Sequence, residues 1–323
     1  MKRFIAVALA FVLVIMTLFT SCTASEQKSS DKKKIVVTNF SEYDWVRNIV
    51  GSTEGFEITM LGGGVDLHSF QPSAADIVTI TQSDLFIYVG GESDRWVGDV
   101  LNSSKNENME IIALMEIPGV HTRTEEHREG MQAEHEDEDE DEEEEEYDEH
   151  VWLSLKNAVV FCENIESILE KLDPDNTDTF RTNLETYKQN LTDLDTRYTN
   201  MIKNAQRKVL VFGDRFPFRY LTDDYGLDYY AVFSGCSAET EASFETIKFM
   251  ANKIDELALD SVITIEGSDK KIAATIIENT KSKSQKILTL NSMQSVGIEE
   301  ADNGLSYLQV MEDNLSVLTQ ALN

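Results

Sequence analysis

A long segment without glycine or proline constrains the fold of this chain more than any other feature. From residue 181 to residue 207 neither occurs, and apolar side chains recur at alternating spacings of four and three residues. This periodicity places the apolar side chains on one face of an α-helix. The apolar positions are Phe180, Leu184, Tyr187, Leu191, Leu194, Tyr198 and Met201. About 25 helical residues span roughly 40 Å, so the sequence predicts a stiff connector that runs along two lobes.

The same alternation of strand and helix patterns lies on both sides of this connector. The four apolar runs before it are KIVVTN, FEITML, DLFIYVGG and EIIAL, and the four after it are KVLVFGD, LDYYAVFSG, SVITIEG and KILTLN. Continuous apolar runs are typical of parallel strands that are buried on both faces. The sequence therefore predicts an α/β protein with two parallel-sheet lobes, residues 34–174 and 208–323. One long rigid helix within residues 175–207 joins them, and a cleft lies between them.

The N-terminus has the features of an export signal. Lys2 and Arg3 precede an uncharged apolar run that ends in TLFTSC, which predicts a secretory signal peptide over residues 1–22. The small residues before Cys22 resemble a bacterial lipobox, in which the cysteine becomes the lipidated first residue of the mature protein. A transmembrane anchor is the alternative, although the run is short for one. Residues 23–33 are polar and fit a tether, so we expect a folded body outside the cytoplasm, lipid-anchored to the outer face of the cell membrane.

The chain is strongly acidic. It has 28 basic and 59 acidic residues, a formal net charge of −31, which excludes nucleic acid or an anionic membrane surface as its main partner. Much of the excess lies in a loop, residues 121–149, in which the run 134–146 is almost entirely acidic. Carboxylates at this density predict a solvated loop or, together with His121, His127 and His135, a weak collector of cations. The sequence leaves both interpretations open.

Two histidines lie at junctions between a loop and a helix. His68 stands in VDLHSFQPSAADI, and His150 stands in YDEHVWLSLKNA. Ligands of α/β proteins bind at loops that follow the carboxyl ends of strands. A neutral imidazole suits Zn2+ and tolerates Mn2+. Taken singly, a histidine at such a junction is more often a surface or hydrogen-bonded residue than a metal ligand.

Taken together, the two segments resemble motifs of a known family. They are similar to the D-P-H-x-x-x-P-x-x-x-D and D-x-H-x-W-L-x-x-x-N-A segments of the zinc and manganese solute-binding lipoproteins of ABC transporters, the zinc-uptake/TroA-like cluster A-I. The lipobox, the acidic insertion and the long helix follow in the same order as in that family, over essentially the whole mature chain. The resemblance implies a cleft that captures Zn2+, or Mn2+, with His68 and His150 as ligands. It also implies a monomer that delivers the metal to a membrane ABC permease and its ATPase.

The second half of the chain departs from the family pattern. The zinc branch has a third histidine where this chain has Gly213, and the manganese branch has a glutamate near Gly235. The usual late aspartate corresponds to Asn291. The resemblance therefore does not identify the metal ligands of the C-terminal lobe.

Three other residues are candidates for these ligands. Cys236 would be a soft thiolate ligand for zinc, although a small buried thiol is the alternative. Glu266 ends a predicted strand and points a carboxylate at the cleft, with a capping or salt-bridge role as its alternative. Asp214 is the third candidate, and an internal ion pair with Arg215 is its alternative.

Two other functions compete with metal delivery. A chain that has lost family ligands would also suit a degenerate member that acts as an adhesin or as a metal-responsive interaction protein. Two histidines and a carboxylate with an open position would suit a zinc hydrolase. The sequence lacks an H-E-x-x-H motif or a similar motif with a catalytic base, so we expect no enzymatic activity.

Overall fold

The computed structural model describes residues 32–104, 106–132, 146–237 and 241–323. The predicted signal peptide with Cys22, nearly all of the tether, and His135 within the acidic run lie outside the described residues. Within those ranges, no helix is both long enough and apolar enough to cross a lipid bilayer.

The N-terminal lobe is built on a parallel sheet of four strands in the order β2-β1-β3-β4. Its strands are β1 (Lys33–Val37), β2 (Phe56–Met60), β3 (Leu85–Tyr88) and β4 (Glu110–Ala113). Its helices are α1 (Phe40–Val50), α2 (Ala74–Thr81), α3 (Trp96–Ser103) and α4 (Leu155–Leu172). The central strands β1 and β3 are the most deeply buried, because sheet neighbours lie on both sides of them.

One helix, α5 (Thr177–Asn204), joins the two lobes and has 28 residues. Its buried side chains are Phe180, Tyr187, Leu191, Leu194, Tyr198 and Ile202. The long connector is therefore confirmed. Leu184 of the predicted face is only partly buried, and at the end of the helix Ile202 is buried whereas Met201 is only partly buried. A straight α-helix drifts by about 20° per seven residues relative to a strict seven-residue repeat. After three repeats from Phe180, this drift places Ile202, in place of Met201, on the buried face.

The C-terminal lobe repeats the topology of the first. Its parallel sheet has the order β6-β5-β7-β8, which is the same arrangement as β2-β1-β3-β4. The strands are β5 (Val209–Arg215), β6 (Asp228–Phe233), β7 (Ser261–Ile265) and β8 (Lys286–Leu290). The helices are α6 (Arg219–Tyr225), α7 (Phe244–Leu257), α8 (Lys271–Glu278), α9 (Ile298–Asp302) and α10 (Tyr307–Leu322). All eight predicted strands are present and parallel, which confirms the predicted fold class.

A single hydrophobic core connects the two sheets. Strand residues such as Ile87 of β3 and Ile263 of β7 belong to one continuous cluster of buried side chains. At its centre, the ring of Trp45 lies 5.3 Å from the rings of both Phe161 and Tyr307, which come from α1, α4 and α10. Lys33–Asn323 consequently packs as one compact unit. The division at residues 174 and 208 stays a prediction.

A buried carboxylate fastens three helices at this core. The Asp44 side chain, on α1, accepts hydrogen bonds from the Tyr187 hydroxyl of α5 at 3.0 Å and from the backbone N–H of Tyr307 of α10 at 3.1 Å. Arg47 and Asn48 donate to the same carboxylate, at 2.8 and 3.0 Å. Burial raises the pKa of Asp44, and the hydrogen bonds oppose this rise. Asp44 therefore links the helices of the two lobes to the connector.

We expect Asp44→Asn to lower the free energy of unfolding by about 1–3 kcal/mol. Asparagine replaces one carboxylate oxygen with an NH2 group. Its N–H groups would then face donors that now hydrogen-bond to the Asp44 carboxylate. Urea unfolding measures the change, and Glu185→Gln, an exposed substitution on the same connector helix, should stay within about 0.5 kcal/mol of the wild type. Equal stability of both variants would contradict the role assigned to Asp44.

Candidate metal centre

The two predicted histidines lie on loops of the N-terminal lobe. His68 belongs to a single 3₁₀ turn, Leu67–Ser69, that follows β2, and Asp66 caps this turn by accepting the backbone N–H of His68 at 3.1 Å. His150 lies in the segment after β4, directly before another 3₁₀ turn, Val151–Leu153. Both loops follow the carboxyl ends of strands, where α/β sheets bind ligands.

The two imidazoles face each other through the same ring atom. The Nε2 atoms of His68 and His150 are 3.2 Å apart. The His150 side chain is fully buried, and that of His68 is 13% exposed. Two nitrogen ligands on one tetrahedral zinc ion, each about 2.0–2.1 Å from the metal, lie roughly 3.3 Å apart. The spacing of these two atoms therefore fits one metal ion bound between them.

Each imidazole has a carboxylate on its other nitrogen. Asp148 lies 3.0 Å from Nδ1 of His150 and also accepts the His150 backbone N–H at 2.9 Å. Glu149 lies 2.9 Å from Nδ1 of His68, and its carboxylate also accepts hydrogen bonds from the backbone N–H and the hydroxyl of Ser93. A carboxylate holds the ring proton on Nδ1 and leaves the Nε2 lone pair free to bind a metal. Both lone pairs consequently point at the same position.

The pKa shifts reflect the same pairing. Burial lowers the pKa of His150, but the charge and hydrogen bond of Asp148, together with the charges of Glu149 and Glu125, outweigh burial and raise this pKa above its ordinary value. Burial raises the pKa of Glu149, but the hydrogen bond from His68 and the neighbouring imidazoles bring it down to about 2. Glu149 therefore stays ionised at neutral pH as the partner of His68.

Cys236 is the predicted residue from the C-terminal lobe that reaches the histidines. It follows β6, and its Sγ and one nitrogen of each histidine all lie within 4.8 Å of one another. Its thiol lies 3.8 Å from a carboxylate oxygen of Glu149, and its backbone N–H donates to Glu125 at 3.2 Å. Burial, reinforced by these carboxylates, raises the pKa of the thiol far above its usual range. A metal that binds Cys236 must therefore displace a proton.

Glu266 has a structural role in the Ser292–Gln294 turn. Its carboxylate accepts the backbone N–H of Ser292 at 2.6 Å, the Ser292 hydroxyl at 2.6 Å and the backbone N–H of Gln294 at 3.2 Å. Both oxygens are thus used in holding this turn. Among the described residues, Glu266 does not belong to the group of ligand atoms that surrounds the histidines.

Asp214 is likewise outside that group within the described part of the chain. One of its oxygens accepts the Arg215 backbone N–H at 2.9 Å. The predicted alternative, an ion pair between Asp214 and Arg215, is wrong, because the Arg215 guanidinium pairs with Asp66 at 2.5 Å instead. This contact connects β5 to the loop that carries His68.

The three positions that depart from the family pattern supply no ligand. A β-carbon at Gly213 would lie 2.8 Å from Ala273 of α8, and one at Gly235 would lie 3.0 Å from the His150 ring. The Asn291 side-chain oxygen accepts the backbone N–H of Met293 at 2.8 Å. Gly235 therefore matters as space for the His150 ring, and Asn291 as part of a turn.

Sequence reasoning missed Gln294, which reaches both histidines. Its amide nitrogen lies 2.8 Å from Nε2 of His68 and also contacts Nε2 of His150. The Ser292–Gln294 turn that presents it is held by Glu266 and by the Trp152 indole, which donates to the Ser292 carbonyl at 2.8 Å. Rotation of the amide presents its oxygen to the same position. The sequence feature that could have predicted this role is a polar side chain just after the last strand, in the segment TLNSMQS.

The side chains that meet at the cleft occupy equivalent places in the two lobes. They are those of His68, His150, Cys236 and Gln294. His68 follows β2 and Cys236 follows β6, the matching edge strand of the second sheet. His150 follows β4 and Gln294 follows β8, the opposite edge strands. Loops at corresponding sheet edges thus bring two imidazoles from one lobe towards a thiol and an amide from the other.

Two like α/β lobes, joined by a long helix and meeting at a polar cleft, define the class of two-lobed solute-binding proteins. A family model described as "ZnuA: Zinc-uptake complex component A periplasmic" matches residues 35–321. The chain belongs to this family, which confirms the resemblance seen in the two histidine segments.

Individual relatives agree with this membership. The chain is 30% identical over 318 residues to the high-affinity zinc uptake system protein ZnuA of Bacillus subtilis, covering 98% of this chain and 96% of that protein. It is 27% identical over 310 residues to the zinc-binding lipoprotein AdcA of Streptococcus pneumoniae, covering 95% of this chain but only 59% of AdcA. The crystal structure of the Zn(II)-bound ZnuA-like domain of that AdcA superposes with a TM-score of 0.69 at 25% identity, over 90% of this chain and 99% of the domain.

We expect Gly235→Ala to weaken zinc binding about tenfold or more, the equivalent of about 1.4 kcal/mol. The added methyl group would meet the His150 ring at 3.0 Å and the Phe216 carbonyl at 2.9 Å, so the ring must move. Gly98→Ala is the matched control, because nothing lies within 4 Å of its added methyl group. Calorimetric titration measures both, and unchanged affinity in Gly235→Ala would contradict the placement of the metal beside His150.

Proposed function

We propose that this chain is an extracytoplasmic receptor that captures Zn2+ in its cleft and delivers it to an ABC permease for uptake. The observation that carries the proposal is the pair of Nε2 atoms, 3.2 Å apart, whose Nδ1 partners Asp148 and Glu149 leave both lone pairs facing one position. Zinc is favoured because the similar proteins ZnuA and AdcA are named for zinc uptake and zinc binding. The related domain of AdcA is Zn(II)-bound.

We assign the metal four protein ligands. His68 and His150 supply nitrogens from one lobe, while Cys236 supplies sulfur and Gln294 an amide oxygen from the other. Zinc accepts nitrogen and sulfur ligands in tetrahedral geometry, and an amide oxygen is its weakest donor in this set. A metal bound by loops of both lobes would hold these loops together, and release would require the loops to part.

Anchoring and partners follow from the same role. Cys22 is the proposed lipid attachment site, which would keep a monomeric receptor at the outer face of the membrane. The permease and its ATPase would supply the energy of transport. The chain spans 59% of the length of AdcA.

Catalysis is not part of the proposed function. A catalytic zinc keeps one coordination position for water, whereas the four proposed donors fill a tetrahedral site. The family is one of solute-binding transport proteins, which disfavours the zinc hydrolase. The adhesin stays a prediction from the departures in the C-terminal half.

Metal titration tests the proposal directly. We expect the wild type to bind Zn2+ more tightly than about 10 μM, and His68→Ala and His150→Ala each to bind at least about 100-fold more weakly. His127→Ala, which removes an exposed histidine, should bind like the wild type. Wild-type affinity in both ligand variants would overturn the site, and binding weaker than 10 μM in the wild type would overturn the receptor.

Deletion of residues 133–145 separates the acidic run from the cleft. Glu125, Asp148 and Glu149 contact the candidate ligands and lie outside this deletion. We therefore expect the tight zinc site to keep its affinity, while weak binding of additional zinc ions falls. Calorimetry at millimolar zinc resolves the two classes of site. Loss of the tight site would show that the acidic run supplies a ligand.

A further inference from the structure

We infer that the cleft selects thiophilic divalent cations, Zn2+ and Cd2+, against Mn2+, and that Cys236 is the ligand that determines this selectivity. The inference rests on the proposed function and names the class of cargo that the site takes. Its basis is the chemistry of the groups that remain available to a metal beside His68 and His150.

The carboxylates nearest the histidines are already engaged. Asp148 is bound to His150, and Glu149 is bound to His68 and to Ser93. Glu266 accepts three hydrogen bonds from the Ser292–Gln294 turn. Using any of these carboxylates as a metal ligand would break the contacts that orient the imidazoles or the Gln294 turn.

A further carboxylate at the edge of the cleft is also paired. Asp66 accepts the backbone N–H of His68 at 3.1 Å and pairs with the Arg215 guanidinium at 2.5 Å. The pair joins β5 to the His68 loop and neutralises the charge of Asp66. It would have to break before Asp66 could bind a cation.

Among the described residues, the ligand atoms grouped at the site are two imidazole nitrogens and one sulfur, with the Gln294 amide beside both histidines. Mn2+ suits carboxylate, carbonyl and water ligands, whereas thiolate and imidazole suit zinc and softer cations. One amide oxygen does not replace the several oxygen ligands that a hard cation needs. Binding at this site should therefore stabilise Mn2+ little more than its water ligands in solution do.

Coordination by Cys236 exchanges a proton for the metal. The metal replaces the thiol proton: the S–H bond breaks, a bond from sulfur to the metal forms, and the proton leaves to solvent with no change of oxidation state. Sulfur is a ligand that suits Zn2+ and softer cations, whereas Mn2+ prefers oxygen ligands.

The position of the thiol sets the movement that binding requires. Its sulfur lies within 4.8 Å of the two imidazole nitrogens, whereas sulfur and nitrogen bound to one tetrahedral zinc lie roughly 3.5 Å apart. Binding would draw the sulfur towards the histidines by up to about 1.3 Å, the difference between these two distances. Cys236 therefore couples the C-terminal lobe to the cation that it selects.

Competition titrations with Zn2+, Cd2+ and Mn2+ test the inference on the wild type, Cys236→Ser and Cys236→Asp. We expect the wild type to bind Cd2+ at least as tightly as Zn2+ and to bind Mn2+ at least about 100-fold more weakly. Cys236→Asp supplies a hard oxygen ligand, so the preference for Zn2+ over Mn2+ should fall at least about tenfold. Cys236→Ser should lose the preference for Cd2+, and this variant decides the matter if Cys236→Asp does not fold.

A spectrum of the cobalt-loaded protein reports sulfur ligation independently of affinity. We expect a sulfur-to-cobalt charge-transfer band in the near ultraviolet that disappears in Cys236→Ser. Cys162→Ala is the matched control, because this free cysteine is buried in α4 and should leave the band unchanged. This inference would be overturned by tight zinc binding without the band, or by an unchanged metal preference in the Cys236 variants. Neither result would contradict the proposed function as a zinc receptor. Failure of the wild type to bind Zn2+ would overturn both.

Discussion

The arrangement of the cleft depends on two imidazole lone pairs that are held facing each other. Asp148 and Glu149 keep the ring protons on the Nδ1 atoms, so the Nε2 atoms of His68 and His150 meet at 3.2 Å as acceptors. Two facing lone pairs repel unless a donor or a cation lies beside both. Gln294 brings an amide nitrogen to both acceptors in this structure, and a divalent cation would take over its role.

The scaffold keeps this arrangement in place through contacts that link the lobes. The Trp152 indole, two residues after His150, donates to the carbonyl of Ser292, and the Tyr307 hydroxyl donates to the carbonyl of Trp152 at 2.7 Å. Through Glu266, the same Ser292–Gln294 turn is fixed to the end of β7. Because the hydrophobic core is continuous between the sheets, capture of a metal fits small loop movements better than a large closure of the lobes.

The sequence predicted those features that depend on local pattern. Eight apolar runs and a segment free of glycine and proline yield eight strands and one long helix, because periodicity and breakers act over a few residues. The motifs around His68 and His150 pointed to the two histidines of the candidate site, which the structure places beside each other. Gln294 and the partners of Glu266 were not predictable, because their roles arise from contacts between distant segments. Asp148 and Glu149 follow the acidic run in sequence, yet they are 2% and 3% exposed and contact the two histidines of the candidate site.

X-ray absorption at the zinc edge of the loaded protein tests directly whether the two facing histidines bind the metal, because it reports the atoms around the zinc ion. We expect two imidazole nitrogens at about 2.0–2.1 Å from the zinc and one sulfur at about 2.3 Å. The imidazole contribution should fall by half in His68→Ala and in His150→Ala. A shell of oxygen atoms alone, without imidazole scattering, would contradict the claim that the two facing histidines bind the metal.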